Sequence, residues 1–288
     1  MPEPRPPVPP LPLATGELSP RDARELDALL AQIRAVTGLE GSGYKERYLR
    51  RRLGVRMRRL GLERYGAYAE RLRQDEDEYA RLLDAIAINV SRFYRNGSVW
   101  TTMRDRVVPG LFALDLPRIQ VWSAGSASGE EAYTLAMVLA EHARSTGVGL
   151  GRFEVLGTDI DAGALERARL GTYDEAALQE LPAELAERWL EPDGGEGKRT
   201  IRPELRRRVR FQALDLTVAM PEGPVHLAVC RNVLIYLERS VQERVLQGLA
   251  ELLDPGGYLV LGKAEMLVGP ARDVFRPIAT RERVYQRP

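Results

Sequence analysis

The chain changes its hydrophobic rhythm near residue 100. Before that point apolar positions recur every three or four residues, the spacing of amphipathic helices. Ser19 stands where a helix cap belongs and Pro20 suits the first helical position, after which Leu26, Leu29, Leu30, Ile33 and Val36 predict one apolar stripe. A second helical stretch runs from Tyr44 to Leu72 with a break near Gly61, and EYARLLDAIAINV predicts a further helix from Glu78. Residues 19–90 therefore read as an all-helical N-terminal domain. After Trp100, short β-rich runs alternate with helical ones: RIQVWSA, EEAYTLAMVLAEHA, RFEVLGTDID, AGALERARL. That alternation predicts an α/β domain with βαβ units around a mostly parallel sheet, at 106–288. Further strands are expected in RVRFQALDL, VHLAVCRN and GYLVLGKAE, a helix in SVQERVLQGLAELL, and a closing edge strand in RERVYQRP.

Two stretches interrupt the rhythm. Between Pro192 and Leu205 a glycine-rich, charged segment with Gly194-Gly195 predicts a small β insertion near 190–208. Pro2 to Pro12 is dominated by proline, which removes backbone donors and favours extended conformations, so 1–18 reads as a disordered or semi-rigid tail. Such a tail is either a spacer or a ligand for an aromatic groove. Residues 91–105 read as a linker between the helical and α/β parts.

Composition narrows the picture little. Forty-two basic residues against forty-one acidic in 288 leave a net charge of +1, so neither nucleic acid nor membrane is an obligatory partner on global charge. Cys230 is the only cysteine, which excludes an internal disulfide and fits a reducing compartment. No apolar run reaches the ~18 residues of a membrane span, and the N-terminus lacks a signal-peptide layout. A soluble, cytoplasmic protein is expected, without membrane insertion. His142 and His226 are too few and too far apart to point to a metal site.

The informative chemistry lies in VWSAGSASGEEAYTLAM, Val121 to Met137, where a strand breaks into small residues and then two glutamates. Strand, small-residue turn and helix form the geometry of a nucleotide-binding first crossover. Yet Gly125-x-x-x-Gly129 is neither the dinucleotide nor the phosphate-loop pattern. Glu130 and Glu131 in a first helical turn would repel a pyrophosphate, which favours a cationic ligand lacking phosphate, such as S-adenosylmethionine. Ser128-x-x-Glu131 is equally a capping-box pattern, so helix cap and ligand contact both stand at this point. Asp159, ending the second strand, is placed to accept from ribose hydroxyls, or with Asp161 to cap the next helix. Asp215 closes RVRFQALDL, as an acceptor for an adenine amino group or as a turn residue.

Four separated stretches, INVSRFYRN (Ile88 to Asn96), WSAGSASGEEAYTLAM (Trp122 to Met137), GTDID (Gly157 to Asp161) and CRNVLIYL (Cys230 to Leu237), together resemble the chemotaxis receptor methyltransferases, the CheR family. The likeness runs from about Arg21 to Gln286. It implies a Rossmann-like S-adenosylmethionine-dependent methyltransferase domain with a small β insertion, preceded by an all-α domain. It further implies transfer of a methyl group from S-adenosylmethionine to glutamate carboxylates on chemoreceptor helices, leaving S-adenosylhomocysteine. By the same resemblance Asn89, Ser91 and Arg95 belong to the cofactor pocket, with Gly125 in its loop. Glu131 would meet the methionine or ribose side, Asp159 the ribose, Asp215 and Leu216 the adenine region, and Cys230 with Arg231 the floor. Arg95 and Tyr236 would flank the transferring methyl as catalytic residues. Read without the resemblance, Arg95 is a surface arginine and Tyr236 a core aromatic.

Some positions depart from the family pattern: Ser91 stands for threonine, Tyr94 for phenylalanine, Ala132 for proline, and Lys263-Ala264 for His-Ser. The last puts local pocket detail in doubt. Tyr44 to Leu62 carries eight basic residues against one glutamate, among them Arg50, Arg51, Arg52, Arg56, Arg58 and Arg59. The resemblance implies that this helix docks on acidic receptor helices, while a solvated basic face and a nucleic-acid surface are the alternatives. Sparse stacking aromatics weigh against nucleic acid. The expected protein is a cytoplasmic monomer recruited to receptor arrays. Its rivals are a cofactor-binding interaction module without catalysis and a methyltransferase for nucleic acid or a small molecule. The Asn/Asp-Pro-Pro-Tyr/Phe motif of amino-methylating nucleic-acid enzymes is replaced here by Arg231-Asn232-Val233-Leu234.

Overall fold

The computed structural model describes residues 17–86, 91–114, 116–193 and 197–288. The proline-rich stretch, Asn89 and the Gly194-Gly195 turn lie outside the described residues. The chain divides into two compact units, 1–88 and 89–288.

The first unit is helical: α1 (Pro20–Thr37), α2 (Glu46–Arg59), α3 (Tyr65–Gln74) and α4 (Asp77–Ile86). Ser19 caps α1 by accepting from the Asp22 N–H at 3.2 Å, and Gly38 ends it in the left-handed region at φ 75°. Only Leu26, Leu29 and Ile33 of the predicted stripe are buried. Val36, one residue from the helix end, is 60% exposed, so it falls outside the stripe. Gly61, at φ 67°, makes the break between α2 and α3.

The basic helix is not uniformly a surface feature. Arg56 forms a bidentate pair with Glu78, at 2.8 and 2.6 Å, and Tyr68 donates to the same carboxylate at 2.8 Å. Arg50 is likewise buried and paired with Glu46 at 3.1 Å. The expectation of a docking role is corrected for both, because their guanidinium groups face their own unit. Arg51 and Arg59 are exposed, and Arg52 and Arg58 half-exposed.

In the second unit, α5 (Gly97–Thr102) and α6 (Val108–Ala113) flank a π-helical turn, Met103–Val107, so the segment read as a linker is helical from Gly97. There follow β1 (Ile119–Ala124), α7 (Glu130–Ser145), β2 (Phe153–Asp159), α8 (Ala162–Leu170) and β3 (Thr172–Asp174). Next come α9 (Glu175–Leu178), α10 (Ala183–Trp189), β4 (Leu190–Pro192), β5 (Lys198–Ile201) and α11 (Pro203–Arg206). The chain closes with β6 (Val209–Ala213), β7 (Val225–Cys230), α12 (Arg239–Leu252), β8 (Leu253–Leu261), α13 (Ala271–Val274), β9 (Arg276–Ala279) and β10 (Val284–Gln286).

Seven strands form one sheet in the order β6-β2-β1-β7-β8-β10-β9. The first five run parallel, while β10 pairs antiparallel with both β8 and β9. RERVYQRP is therefore not an edge strand, because β10 enters between β8 and β9. The edge is β9, whose Pro277 explains why the segment did not read as a strand: an edge tolerates the missing donor. β7 is buried along its whole length, as a central parallel strand requires. The insertion is a three-stranded antiparallel sheet, β3-β5-β4. β4 and β5 form the expected hairpin, and β3, starting after Gly171 in the left-handed region, adds the strand that the sequence did not announce.

Candidate functional site

The ends of β1, β2, β6, β7 and β8 carry the residues of interest, in keeping with the rule that open α/β sheets bind ligands beyond the carboxyl ends of their strands. After β1 the chain turns sharply. The N–H groups of Gly125 and Ser126 both donate to the Thr158 carbonyl at 2.8 Å, and the Ala127 N–H donates to Asp159 at 2.8 Å. Gly125, Ala127 and Gly129 all have positive φ. A Cβ on Gly125 would drive into the Val233 side chain, so the β7 loop packs a side chain directly on the Gly125 backbone.

The capping box is not formed. α7 starts at Glu130 with Gly129 as its cap, and Ser128 donates to Glu130 at 2.9 Å instead of accepting from the helix. Glu130 is buried, with the Ser91 hydroxyl also on its carboxylate, and burial pushes its pKa up. Glu131 turns toward the strand ends: it accepts from the Ser123 hydroxyl at 2.9 Å and from Arg231 at 3.1 Å. Burial raises the Glu131 pKa against the pull of Arg231.

Asp159 also has a raised pKa, through burial first, opposed by the N–H groups of Asp161 and Ala127. One of its oxygens accepts from Ala127 and the other from Asp161, with the Ile160 N–H also on the carboxylate. The capping role at α8 belongs to Asp161, which accepts from Gly163 and Ala164 at 2.8 and 3.2 Å. Asp215 divides its carboxylate: Oδ1 accepts from the N–H and hydroxyl of Thr217, while Oδ2 is buried and has no partner among the described residues. Leu216 is buried beside it.

Arg231 is the hub. Only 2% of its side chain is exposed, and it binds Glu131, the Arg95 carbonyl at 2.9 Å and the Asn96 side-chain oxygen at 3.0 Å. Its guanidinium lies over the Trp100 ring at 5.6 Å, and the Trp100 indole N–H donates to the same Arg95 carbonyl at 3.0 Å. Tyr94 and Asn96 hold positive φ on either side of Arg95, a strained setting of the kind found where surrounding contacts over-determine the backbone. Cys230 is fully buried with its thiol pushed well up by burial, which does not suit a nucleophile. Tyr236 is half-buried on the 3₁₀ turn Leu234–Tyr236 that follows β7.

These features fit S-adenosylmethionine. The buried Asp215 Oδ2 calls for a donor, and the first turn of α7 is acidic where a phosphate would need donors. Sequence reasoning missed Glu265, Asn96, Trp100 and Ser123. Glu265 follows the Lys263-Ala264 departure and keeps the glutamate of the family's His-Ser-Glu after Gly262, which was the one signal available for it.

Sheet order, glycine turn and acidic strand ends define a Rossmann-like methyltransferase domain. The family model described as CheR methyltransferase, SAM binding domain, matches residues 89–284, and the CheR methyltransferase all-alpha domain matches 24–87. The chain therefore belongs to the CheR family of S-adenosylmethionine-dependent methyltransferases. It is 32% identical over 234 residues to a chemotaxis protein methyltransferase of Listeria monocytogenes, covering 81% of this chain and 87% of that one. A chemotaxis protein methyltransferase of Klebsiella aerogenes is 32% identical over 267 residues, covering 90% and 87%. No helix among the described residues is long and apolar enough to cross a membrane.

Proposed function

We propose that this chain methylates glutamate carboxylates of chemoreceptors. The observation that carries the reading is the Arg231 hub, which ties Glu131 and the backbone of Arg95 to the strand end from which Tyr236 follows. S-adenosylmethionine, when bound, supplies a methyl group activated by its sulfonium. Glu131 and Asp159 favour that positive charge and hold the sugar and amino-acid ends, and Asp215 with Leu216 takes the adenine. Ser91 completes the cofactor pocket, over a floor of Cys230 and Arg231.

A glutamate carboxylate is nucleophilic at neutral pH, so no general base is required and alignment is the main task. The Arg95 guanidinium holds the substrate carboxylate through one oxygen and leaves the other aimed at the methyl, with Tyr236 fixing the opposite side. Histidine chemistry has no part in this. The Nδ1 of His226 accepts from the Gln120 N–H at 2.8 Å, at the opposite end of the strands, and His142 packs on Phe112. Opposite charges on carboxylate and sulfonium disappear during transfer, which a dry cleft favours. Arg51, Arg52, Arg58 and Arg59 dock the acidic receptor helices. The names of the chemotaxis relatives support this substrate class over a nucleic acid or a small molecule.

The test is incubation of the protein with methyl-labelled S-adenosylmethionine and receptor-containing membranes, followed by alkali. Release of labelled methanol is expected. Label that resists alkali, or none across several receptors, rejects the ester.

A further inference from the structure

We infer that Glu265 is a positioning residue for methyl transfer, its carboxylate gathering four backbone N–H groups that fix the segment between Arg231 and Tyr236. The inference rests on the proposed transfer reaction for its kinetic arm. Glu265 Oε2 accepts from Gly262 at 2.6 Å and Asn232 at 3.0 Å, and Oε1 accepts from Val233 at 2.9 Å and Ile235 at 3.4 Å. The residue is 3% exposed and has no ion-pair partner among the described residues. One side chain thus bridges the turn after β8 and the loop after β7, in the manner of an anion nest.

Two further features show that the backbone is built around this carboxylate. Asn232 stands at φ 62°, which turns its N–H toward Glu265. At Gly262 a Cβ would lie 2.6 Å from the carboxylate and 2.8 Å from the Asn232 N–H, so only glycine lets the two loops close on each other. A buried carboxylate without a counterion is an expensive way to close a turn. What it fixes here is the segment that begins at the Arg231 hub and ends at Tyr236. Glu265 touches neither reacting group and acts through that segment.

The test compares full-length wild type with E265Q. Glutamine keeps the shape, but in either orientation its NH₂ faces two of the four N–H groups. The amides of Asn232, Val233 and Gly262 are expected to exchange with solvent about tenfold faster or more, with amides inside β1 and β2 unchanged. The kcat is expected to fall about 10²-fold, as a displacement of roughly 1 Å can produce, with receptor KM within about threefold. E265D, which keeps the charge but shortens the reach, is expected to lie between the two and serves if E265Q does not fold. A wild-type kcat in E265Q overturns the inference, as does a loss that only tracks a global rise in exchange. If wild type itself transfers no alkali-labile methyl, the receptor reading fails. The amide exchange and the affinity for S-adenosylhomocysteine, expected within about threefold of wild type because the chain's cofactor contacts lie elsewhere, then decide the role of Glu265.

Discussion

The Arg231 guanidinium donates to the Arg95 backbone carbonyl at 2.9 Å across 136 positions of sequence. The same group binds Glu131, so one buried cation joins the first turn of α7, the segment before α5 and the end of β7. The fork geometry of arginine is what permits this, since its nitrogens diverge to separate acceptors. A lysine ammonium can neutralise Glu131 but cannot also reach Arg95 and Asn96. R231K should therefore lose about 1–3 kcal/mol, the scale of leaving buried acceptors unmade. Its S-adenosylmethionine affinity should fall with it. Thermal unfolding and calorimetric titration of the variant check both, and wild-type values in each would remove Arg231 from the hub.

The Arg95 carbonyl, which alanine also has, ties this segment to its neighbours. Arg231 and Trp100 both donate to that backbone atom. R95A retains these two backbone bonds and is expected to fold, as far-UV circular dichroism and cooperative thermal unfolding would show. Transfer should drop by at least about 10²-fold, as removal of a preorganised charged donor does. Near-normal turnover would take Arg95 out of the catalytic set.

The site carboxylates predict a pH dependence of cofactor binding. Burial raises the pKa of Glu131 and of Asp159. For an acid whose folded pKa is raised, the stabilising contribution is present below its ordinary value and is lost as pH rises through the folded one. The ligand-free site is therefore under most strain when both groups are ionised, and a cationic ligand relieves it. The thermal shift produced by S-adenosylmethionine should be larger near about pH 7.5 than near about pH 5, with protons released on binding at the lower pH. A shift independent of pH would show that the cation does not sit by these groups.

How far the sequence disclosed this arrangement depends on how local each feature is. Helical periodicity around Leu29 and Ile33, and the alternation after Trp100, are short-range signals, and the corresponding elements formed. The place of β10 inside the sheet is a long-range pairing, and RERVYQRP carries nothing that distinguishes an inner from an outer strand. The capping box at Ser128 and Glu131 failed for a related reason. Its spacing was correct, but the hub at Arg231 and the hydroxyl of Ser123 compete for Glu131, and the helix starts at Glu130 instead. Glu265 keeps the glutamate of the family's His-Ser-Glu, but its role was not legible because its partners are main-chain N–H groups, which leave no trace in side-chain identity.

The two kinds of arginine on α2 make the last prediction. Arg56 is paired with a Glu78 whose side chain is fully buried, and Tyr68 completes that carboxylate's shell. Removing Arg56 leaves buried Glu78 with Tyr68 and the more distant Arg81 at 3.7 Å, so R56A should cost up to about 3–5 kcal/mol. Arg51 and Arg59 are exposed, and their loss should leave the melting midpoint unchanged. If the exposed arginines dock an acidic receptor helix, the R51A/R59A double variant should raise the KM for receptor and flatten its salt dependence, with kcat preserved. R56A should act the other way, lowering stability while its folded fraction keeps the wild-type salt response. Measuring KM across a salt series beside thermal unfolding separates the two. Equal salt responses in wild type and R51A/R59A would mean that this face of α2 does not meet the receptor.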